Sequence, residues 1–217
     1  MLDQVKTIVL DYDGTLHDSI KIYGPAFRKA YEFLVDQHQV PPRTWEDQEI
    51  VKWLGLSSKE MWEAFMPNLD SGLREQAGSI IGEEMKRLLQ NKKAVLYEGA
   101  LETLEYLKNR GYKLVFLSNC GKAYMDYSRD LFGLDHYFDE MLCAQDYEFI
   151  PKYEILSKVM DQWPSEIVVV GDRYKDIEAG KQNNLKTIAC LYGYAQGDEL
   201  KDADYKINHI KELCRLL

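Results

Sequence analysis

Hydrophobic residues follow two different rhythms along the 217-residue chain. A continuous apolar run at residues 7–10 predicts a buried β-strand, because short runs rich in β-branched residues are typical of strands covered on both faces. From about residue 17 to residue 90 no comparable run occurs, and apolar residues recur at helical spacing instead. Within this stretch Pro25 predicts the first turn of a helix, where a proline needs no amide hydrogen bond.

From residue 92 onward, strand and helix patterns alternate. The apolar runs predict strands at 113–117, 141–144, 167–170 and 187–191, with a last short strand at 205–207. Helical spacing predicts helices at 100–110, 153–163 and 177–183. This alternation is typical of a parallel sheet covered by helices. We therefore predict an α/β fold with a Rossmann-like, doubly wound parallel sheet. Residues 1–16 and 92–217 form its core domain, and residues 17–91 form an inserted all-helical cap domain.

Polar side chains stand where three of the predicted strands end. Asp11 and Asp13 follow the first strand, Ser118 and Asn119 follow the second, and Asp172 follows the run at 167–170. Ligands of parallel α/β sheets bind beyond the carboxyl ends of the strands. These side chains therefore predict one shared site at that edge of the sheet.

The acids among them predict a bound cation. Two carboxylates about 4 Å apart repel by about 4 kcal/mol at an effective dielectric constant near 20. A divalent metal relieves this repulsion, and carboxylate oxygens favour Mg²⁺. Asp172 is a second metal-ligand candidate. Asp176 lies four residues later, on the same face if a helix begins at Asp172, and is equally explained as an acid that stabilises a helix N-terminus.

The same groups suit phosphoryl transfer. Asp11 can attack phosphorus to form an aspartyl-phosphate, and Asp13 can protonate the leaving oxygen and later deprotonate a water. The hydroxyl of Ser118 can donate to the phosphoryl oxygens. A lysine would add a fixed positive charge, and the residues alone leave Lys122, Lys152 and Lys175 as alternatives.

Composition restricts the partners. Asp and Glu number 36 against 27 Lys and Arg, for a formal net charge of −9, and no basic block stands out. Nucleic acids and anionic membranes are therefore disfavoured as partners. The four cysteines have no metal-ligand spacing, which favours free thiols in a reducing cytoplasm. No leader and no apolar span of membrane length is recognisable, so we expect a cytoplasmic protein. No sequence feature specifies an oligomeric state.

Residues 11–15, with the sequence Asp-Tyr-Asp-Gly-Thr, resemble the first motif of the haloacid dehalogenase superfamily phosphatases. Ser118-Asn119 resembles the second motif, Lys152 fits the third, and residues 171–176 fit the fourth. The whole chain is similar to members with a helical cap, in the phosphoglycolate phosphatase-like branch. One departure is Pro151, which precedes the third-motif lysine where many relatives have a proline after it.

The resemblance implies a role for each acid. Asp11 would be the nucleophile and Asp13 the general acid and base. Mg²⁺ would be held by Asp11, the backbone carbonyl of Asp13, and Asp172, with Asp176 in support.

The resemblance also implies the groups that bind substrate. Ser118 and Lys152 would hold the phosphoryl group, and Lys152 would steady the nucleophile. Thr15 and Asn119 are further candidates for substrate binding. In the cap, Lys59 lies in a loop-like stretch whose position resembles the substrate-selecting loop of capped relatives, where a lysine can meet an anionic leaving group.

We therefore expect a Mg²⁺-dependent phosphatase of small phosphorylated metabolites. A phosphomutase, or a pyrophosphatase or nucleotidase, would use the same scaffold. A phospho-accepting signalling domain would also phosphorylate an aspartate at a strand end, but it needs neither Asp13 nor a helical insertion. A binding protein that has lost catalysis is disfavoured, since each expected catalytic side chain is present.

Overall fold

The structure, a computed structural model, describes residues 2–164 and 166–217. Its strands are β1 Thr7–Leu10, β2 Lys113–Ser118, β3 Glu140–Cys143, β4 Ile167–Gly171, β5 Lys186–Cys190 and β6 Tyr205–Ile207. Its α-helices are α1 Ile20–Asp36, α2 Asp47–Ile50, α3 Ser58–Phe65, α4 Ser71–Gln90, α5 Ala100–Asn109, α6 Lys122–Phe132, α7 Lys152–Val159, α8 Tyr174–Gln182 and α9 Leu213–Leu216. Short 3₁₀ helices span Val51–Trp53, Leu134–His136, Ala144–Tyr147, Met160–Gln162 and Ile210–Glu212.

The six strands form one parallel sheet in the order β3-β2-β1-β4-β5-β6. The predicted α/β class with a parallel, doubly wound sheet is therefore confirmed. The strand order reverses beside β1, whose two neighbours are β2 and β4. Leu10 pairs with Phe116 on one side and with Val170 on the other. The segments that follow these three strands therefore leave the sheet side by side.

Helices cover both faces of the sheet, which is why its central strands are apolar without alternation. Ile8 and Leu10 pack into a core with residues of α5 and α9, among them Leu104 and Leu213. Val9 points to the opposite face and packs with Ile155 of α7. Burial on both faces fixes β1, and with it the position of the residues that follow.

The chain divides into two compact units. One contains the chain up to Asp18 and from Leu96 onward, and the other contains residues Ser19–Val95. The sequence analysis set these boundaries a few residues earlier, after residues 16 and 91. The second unit contains helices α1 to α4, and its described residues contain no strand. No helix of the described residues is long and apolar enough to cross a membrane.

An aromatic cluster forms the core of the second unit. Phe65 of α3 lies 5.2 Å from Phe27 and 5.7 Å from Trp45, measured between ring centroids. Tyr31 packs edge-on against Trp45 at 5.5 Å. Tilted and edge-to-face pairs of this kind add to the stabilisation from buried area. The aromatic residues of this stretch therefore serve as core.

Two local expectations were wrong. Pro25 lies inside α1, which begins at Ile20, so it is not in the first turn. The proline removes the hydrogen bond to the carbonyl of Lys21, but buried Ile22 and Phe27 on either side hold the helix by packing. Asp172 precedes α8, which begins at Tyr174, so Asp172 and Asp176 do not share a helical face. Smaller shifts of one residue occur at β3 and β5.

Glu84 generates a prediction about the stability of the second unit. Its buried carboxylate accepts hydrogen bonds from Arg87 on its own helix and from Lys29 of α1, at 3.0 and 2.8 Å. These bonds lower the pKa of Glu84 from 4.5 to about 2. We expect Glu84→Gln to lower the free energy of unfolding by about 1 kcal/mol near neutral pH, since both cations are largely exposed.

This loss should depend on pH in a defined direction. Because the folded-state pKa is depressed, the contribution is present above about pH 4.5 and disappears as the pH falls towards about 2. Urea unfolding followed by tryptophan fluorescence measures it, since Trp45, Trp53 and Trp62 lie in this unit and only Trp163 lies outside. Exposed Glu83 provides the control variant Glu83→Gln. A difference between wild type and Glu84→Gln that stays constant down to about pH 3 would contradict this account.

Candidate active site

Three buried aspartates meet at the carboxyl ends of β1 and β4. Asp11 directly follows β1, and its amide donates to the carbonyl of Val170 at 2.9 Å, so it remains aligned with β4. Asp172 directly follows β4, and Asp176 lies in the first turn of α8. One carboxylate oxygen from each aspartate lies within 4.8 Å of one from each of the others. The structure thus brings together the acids of the first and fourth motifs.

Lys152 supplies positive charge to this cluster. It is the first residue of α7, follows Pro151, and is 5% exposed. Its ammonium group donates to Oδ1 of Asp11 at 2.9 Å and to Oδ1 of Asp176 at 2.6 Å. Lys122, another lysine that the sequence left open, instead pairs with Asp146 at an exposed position. The proline on the N-terminal side of Lys152 is compatible with this geometry.

Burial and mutual repulsion control the pKa values of the cluster. Burial, followed by the charge of Asp176, raises the pKa of Asp11, and Lys152 opposes this rise. Burial and the charges of Asp11 and Asp176 raise the pKa of Asp172 well above its ordinary value. Burial disfavours the ammonium form of Lys152, but the two carboxylates outweigh it and raise the lysine pKa. Lys152 is therefore a fixed cation between two acids.

Asp172 lies in a tight backbone cradle. Its Oδ2 accepts a hydrogen bond from the amide of Tyr194 at 2.6 Å, and the hydroxyl of Thr15 lies 3.5 Å from its Oδ1. Gly14 has a φ of +80°, and a Cβ added there would lie 2.1 Å from the Asp172 carboxylate. Glycine is thus required both for the left-handed backbone and for the close approach. Thr15, which we predicted to bind substrate, contacts Asp172.

The carboxylate of Asp13 has a different environment. It is 17% exposed and does not belong to the cluster of Asp11, Asp172 and Asp176. Its Oδ1 accepts a hydrogen bond from the hydroxyl of Tyr124 at 2.7 Å. Burial, and then the charge of Asp13, raises the pKa of Tyr124, so this hydroxyl remains protonated and can donate.

The remaining predicted residues lie in both units. Ser118 ends β2 and is buried, and Asn119 follows it. Since Phe116 pairs with Leu10, Ser118 lies at the register of the turn that carries the first motif. Lys59 lies in the other unit, near the start of α3, where it is exposed and 4.0 Å from Glu63. The described contacts of Lys59 therefore do not assign it a partner in the cluster.

The cluster fits a hard divalent cation. Its three buried carboxylates face one ammonium group, so negative charge is in excess within a region shielded from water. All three donors offer oxygen atoms, which suit Mg²⁺ or a similar ion rather than a soft metal.

Sequence reasoning missed three groups that contact the predicted acids. They are the amide of Tyr194 on Asp172, and Tyr124 and His17 beside Asp13. The only available signal was the position of His17, four residues after Asp13 in the first motif. Tyr124 lies 111 positions from Asp13, and no periodicity in the sequence identifies such a partner.

Comparison with known proteins gives a consistent result. The family model described as haloacid dehalogenase-like hydrolase matches residues 8–190. The chain is 29% identical to a phosphoglycolate phosphatase of Pasteurella multocida over 206 residues, which cover 89% of this chain and 88% of that protein. It is 24% identical to the pyrophosphatase PpaX of Halalkalibacterium halodurans, over 99% of this chain and 97% of that protein. The crystal structure described as a predicted phosphoglycolate phosphatase from Haemophilus somnus 129pt has a TM-score of 0.81 and 24% identity, and covers 100% and 99% of the two chains.

The ion pairs of Lys152 predict a large loss of stability when its charge is removed. We expect Lys152→Met to lower the free energy of unfolding by about 3–5 kcal/mol in metal-free buffer, because it leaves buried carboxylates without a cation. Exposed Lys158 on the same helix offers the matched control Lys158→Met, with an expected change within about 0.5 kcal/mol. Urea unfolding measures both. Equal losses in the two variants would show that the Lys152 ammonium does not compensate the acids.

Proposed function

Because the chain belongs to the haloacid dehalogenase-like hydrolase family, we propose that it is a Mg²⁺-dependent phosphatase that hydrolyses phosphate monoesters of small metabolites through an aspartyl-phosphate. One observation carries this proposal: Asp11 lies at a strand end, in a buried cluster with Asp172 and Asp176, and is bound by Lys152. The four free cysteines support a cytoplasmic location.

In the first step an oxygen of Asp11 attacks phosphorus. A bond between this oxygen and phosphorus forms, and the bond from phosphorus to the ester oxygen breaks. Lys152 orients the nucleophile through its hydrogen bond to Oδ1 and favours the ionised carboxylate. Asp13 gives its proton to the departing ester oxygen, which leaves as an alcohol.

In the second step Asp13 acts as a base. It takes a proton from a water molecule, whose oxygen attacks the phosphorus of the aspartyl-phosphate. The bond between phosphorus and the Asp11 oxygen breaks, which releases phosphate and restores the carboxylate. Asp13 regains the proton needed for the next cycle. This alternation uses the second acid of the first motif in both steps.

Residues of all four motifs would bind the ion and the phosphoryl group. Asp11, the backbone carbonyl of Asp13, and Asp172 would hold Mg²⁺, supported by Asp176. When bound, this ion neutralises charge on the phosphoryl oxygens. Substrate-binding groups on this chain are the hydroxyls of Thr15 and Ser118, Asn119, and the ammonium group of Lys152.

We propose a cap role in substrate selection for residues 19–95, with Lys59 meeting an anionic leaving group. The phosphoglycolate phosphatase from Pasteurella multocida supports a small phosphorylated carboxylate as substrate. The pyrophosphatase from Halalkalibacterium halodurans supports pyrophosphate as a second candidate. Both substrates carry negative charge on the leaving group, which suits a lysine.

Replacement of each first-motif acid by asparagine tests the mechanism. With p-nitrophenyl phosphate and Mg²⁺, Asp11→Asn should lower kcat by at least about 10³-fold, since the amide is a poor nucleophile. Asp13→Asn should instead accumulate the aspartyl-phosphate, detected as one added phosphoryl mass after an acid quench. EDTA should abolish wild-type turnover, and added Mg²⁺ should restore it. Retained turnover in Asp11→Asn would overturn the mechanism, and a single burst without turnover by the wild type would favour a phospho-acceptor.

Lys59 is tested by substrate comparison. Lys59→Ala should raise KM for phosphoglycolate and pyrophosphate by about threefold to tenfold, because one exposed charge contact is worth about 1 kcal/mol. It should leave the KM for p-nitrophenyl phosphate unchanged, because the leaving group of that substrate carries no carboxylate or phosphate. Lys93→Ala, at another exposed lysine of the same unit, is the control. If kcat/KM of Lys59→Ala is unchanged for every accepted substrate, Lys59 has no role in selection.

A further inference from the structure

Asp13 is tied to two side chains that the mechanism above does not use. The hydroxyl of Tyr124, on α6, lies 2.7 Å from Oδ1 of Asp13 and 2.9 Å from Nδ1 of His17. His17 Nδ1 itself lies 3.4 Å from the same oxygen of Asp13. One carboxylate oxygen, one phenol and one imidazole nitrogen thus form a closed triangle beside the first motif.

Hydrogen-bonding capacity fixes the donors in this triangle. Oδ1 of Asp13 accepts a hydrogen bond whether the carboxyl group is ionised or carries its proton on Oδ2, so the single hydroxyl proton of Tyr124 is donated to Oδ1. The hydroxyl oxygen then accepts from His17, which must carry its proton on Nδ1. His17 therefore donates to Tyr124, and Tyr124 donates to Asp13.

Burial of His17 costs folding free energy that burial of an apolar residue would not. Its side chain is 0% exposed, and its Nε2 is buried without a hydrogen-bond partner among the described residues. A buried polar atom without a partner costs about 1–3 kcal/mol, which an apolar side chain would avoid. His17 also stacks on Tyr12, with centroids 5.0 Å apart and rings 19° from parallel. Aromatic packing therefore holds the imidazole in place and leaves Nδ1 as its one bonded nitrogen.

The backbone ties this histidine to the same turn as Asp13. The amide of Gly14 donates to the carbonyl of His17 at 2.9 Å, and the amide of His17 donates to the carbonyl of Tyr12 at 2.9 Å. The imidazole and the carboxylate are thus held on one rigid loop. Tyr124 reaches this loop from a helix more than 100 residues later.

We propose that Tyr124, itself oriented by His17, is a positioning residue that fixes the Asp13 carboxylate for proton transfer to the leaving group. With Oδ1 held by the phenol, Oδ2 is the oxygen that exchanges the proton. This inference rests on the proposed phosphatase function and adds to it two residues outside the acid cluster. A carboxylate free to rotate would present either oxygen, and general-acid catalysis is sensitive to this geometry.

Substrates with different leaving groups distinguish a role of Tyr124 in positioning Asp13 from a purely structural role. A nitrophenolate leaves without a proton, whereas the alkoxide of glycerol phosphate needs one. We expect Tyr124→Phe to lower kcat/KM for glycerol phosphate by about tenfold and for p-nitrophenyl phosphate by less than about twofold. Asp13→Asn should show the same preference to a greater extent. Tyr106→Phe removes the hydroxyl of an exposed tyrosine on α5 and is the matched control.

Variants of His17 test whether the hydrogen bond from His17 orients Tyr124. His17→Phe keeps the stacking ring but loses Nδ1, and should reproduce the substrate-dependent loss of Tyr124→Phe. His17→Asn keeps a donor near the Nδ1 position and should recover most of the activity. The double variant Tyr124→Phe/His17→Phe should be no worse than Tyr124→Phe, because both changes break one chain of hydrogen bonds.

The outcomes separate this inference from the proposed function. Equal losses on both substrates in Tyr124→Phe, or no loss on either, overturn the positioning role. A gain on glycerol phosphate also overturns it, since the phenol would then hold Asp13 away from the reaction. If the wild-type enzyme hydrolyses neither substrate, the proposed function fails and this inference fails with it. Wild-type hydrolysis of both, with an unchanged ratio in Tyr124→Phe, overturns only this inference.

Discussion

One buried ammonium group holds together acids from separate segments of the chain. Lys152 at the start of α7 binds Asp11 after β1 and Asp176 on α8, and Asp172 after β4 lies within the same group of oxygens. A buried ion network of this kind contributes little net stability, because desolvation offsets most of the Coulombic attraction. Its effect is to specify an arrangement, because the ends of β1 and β4 and the starts of α7 and α8 have to meet with their charged groups close together. The parallel neighbours β1 and β4 make that meeting possible.

The two acids of the first motif lie in contrasting surroundings. Asp11 is 4% exposed and surrounded by other acids and a lysine. Asp13, two residues later, is partly exposed and bound by a phenol. Two carboxylates in different environments can take two chemical roles, one as nucleophile and the other as proton carrier. Gly14, with its positive φ, turns the chain immediately after Asp13 and lies directly against the Asp172 carboxylate.

Much of this arrangement could be predicted from the sequence, because its causes are local. Apolar runs identified all six strands to within a residue or two, and parallel topology brought their polar exits to one edge. The position of Lys152 came only from the family resemblance, since three lysines were equivalent on residue type alone. The features that sequence patterns did not predict depend on packing between distant parts of the chain. Tertiary contacts hold Pro25 inside a helix, and Tyr124 meets Asp13 only after two distant segments fold together. Contacts of that kind leave no periodic signal.

The position of β1 has a consequence for synthesis of the chain on the ribosome. This strand is made first among the strands, yet its neighbours are β2 and β4, whose paired residues for Thr7 are Lys113 and Ile167. The helical segment Ser19–Val95 is synthesised before either neighbour exists, and this unit is one continuous stretch of chain, so its internal contacts need no later residue. The inserted helices can therefore form while β1 is still unpaired. The segment carrying the nucleophile acquires its surroundings only when the last third of the polypeptide has emerged.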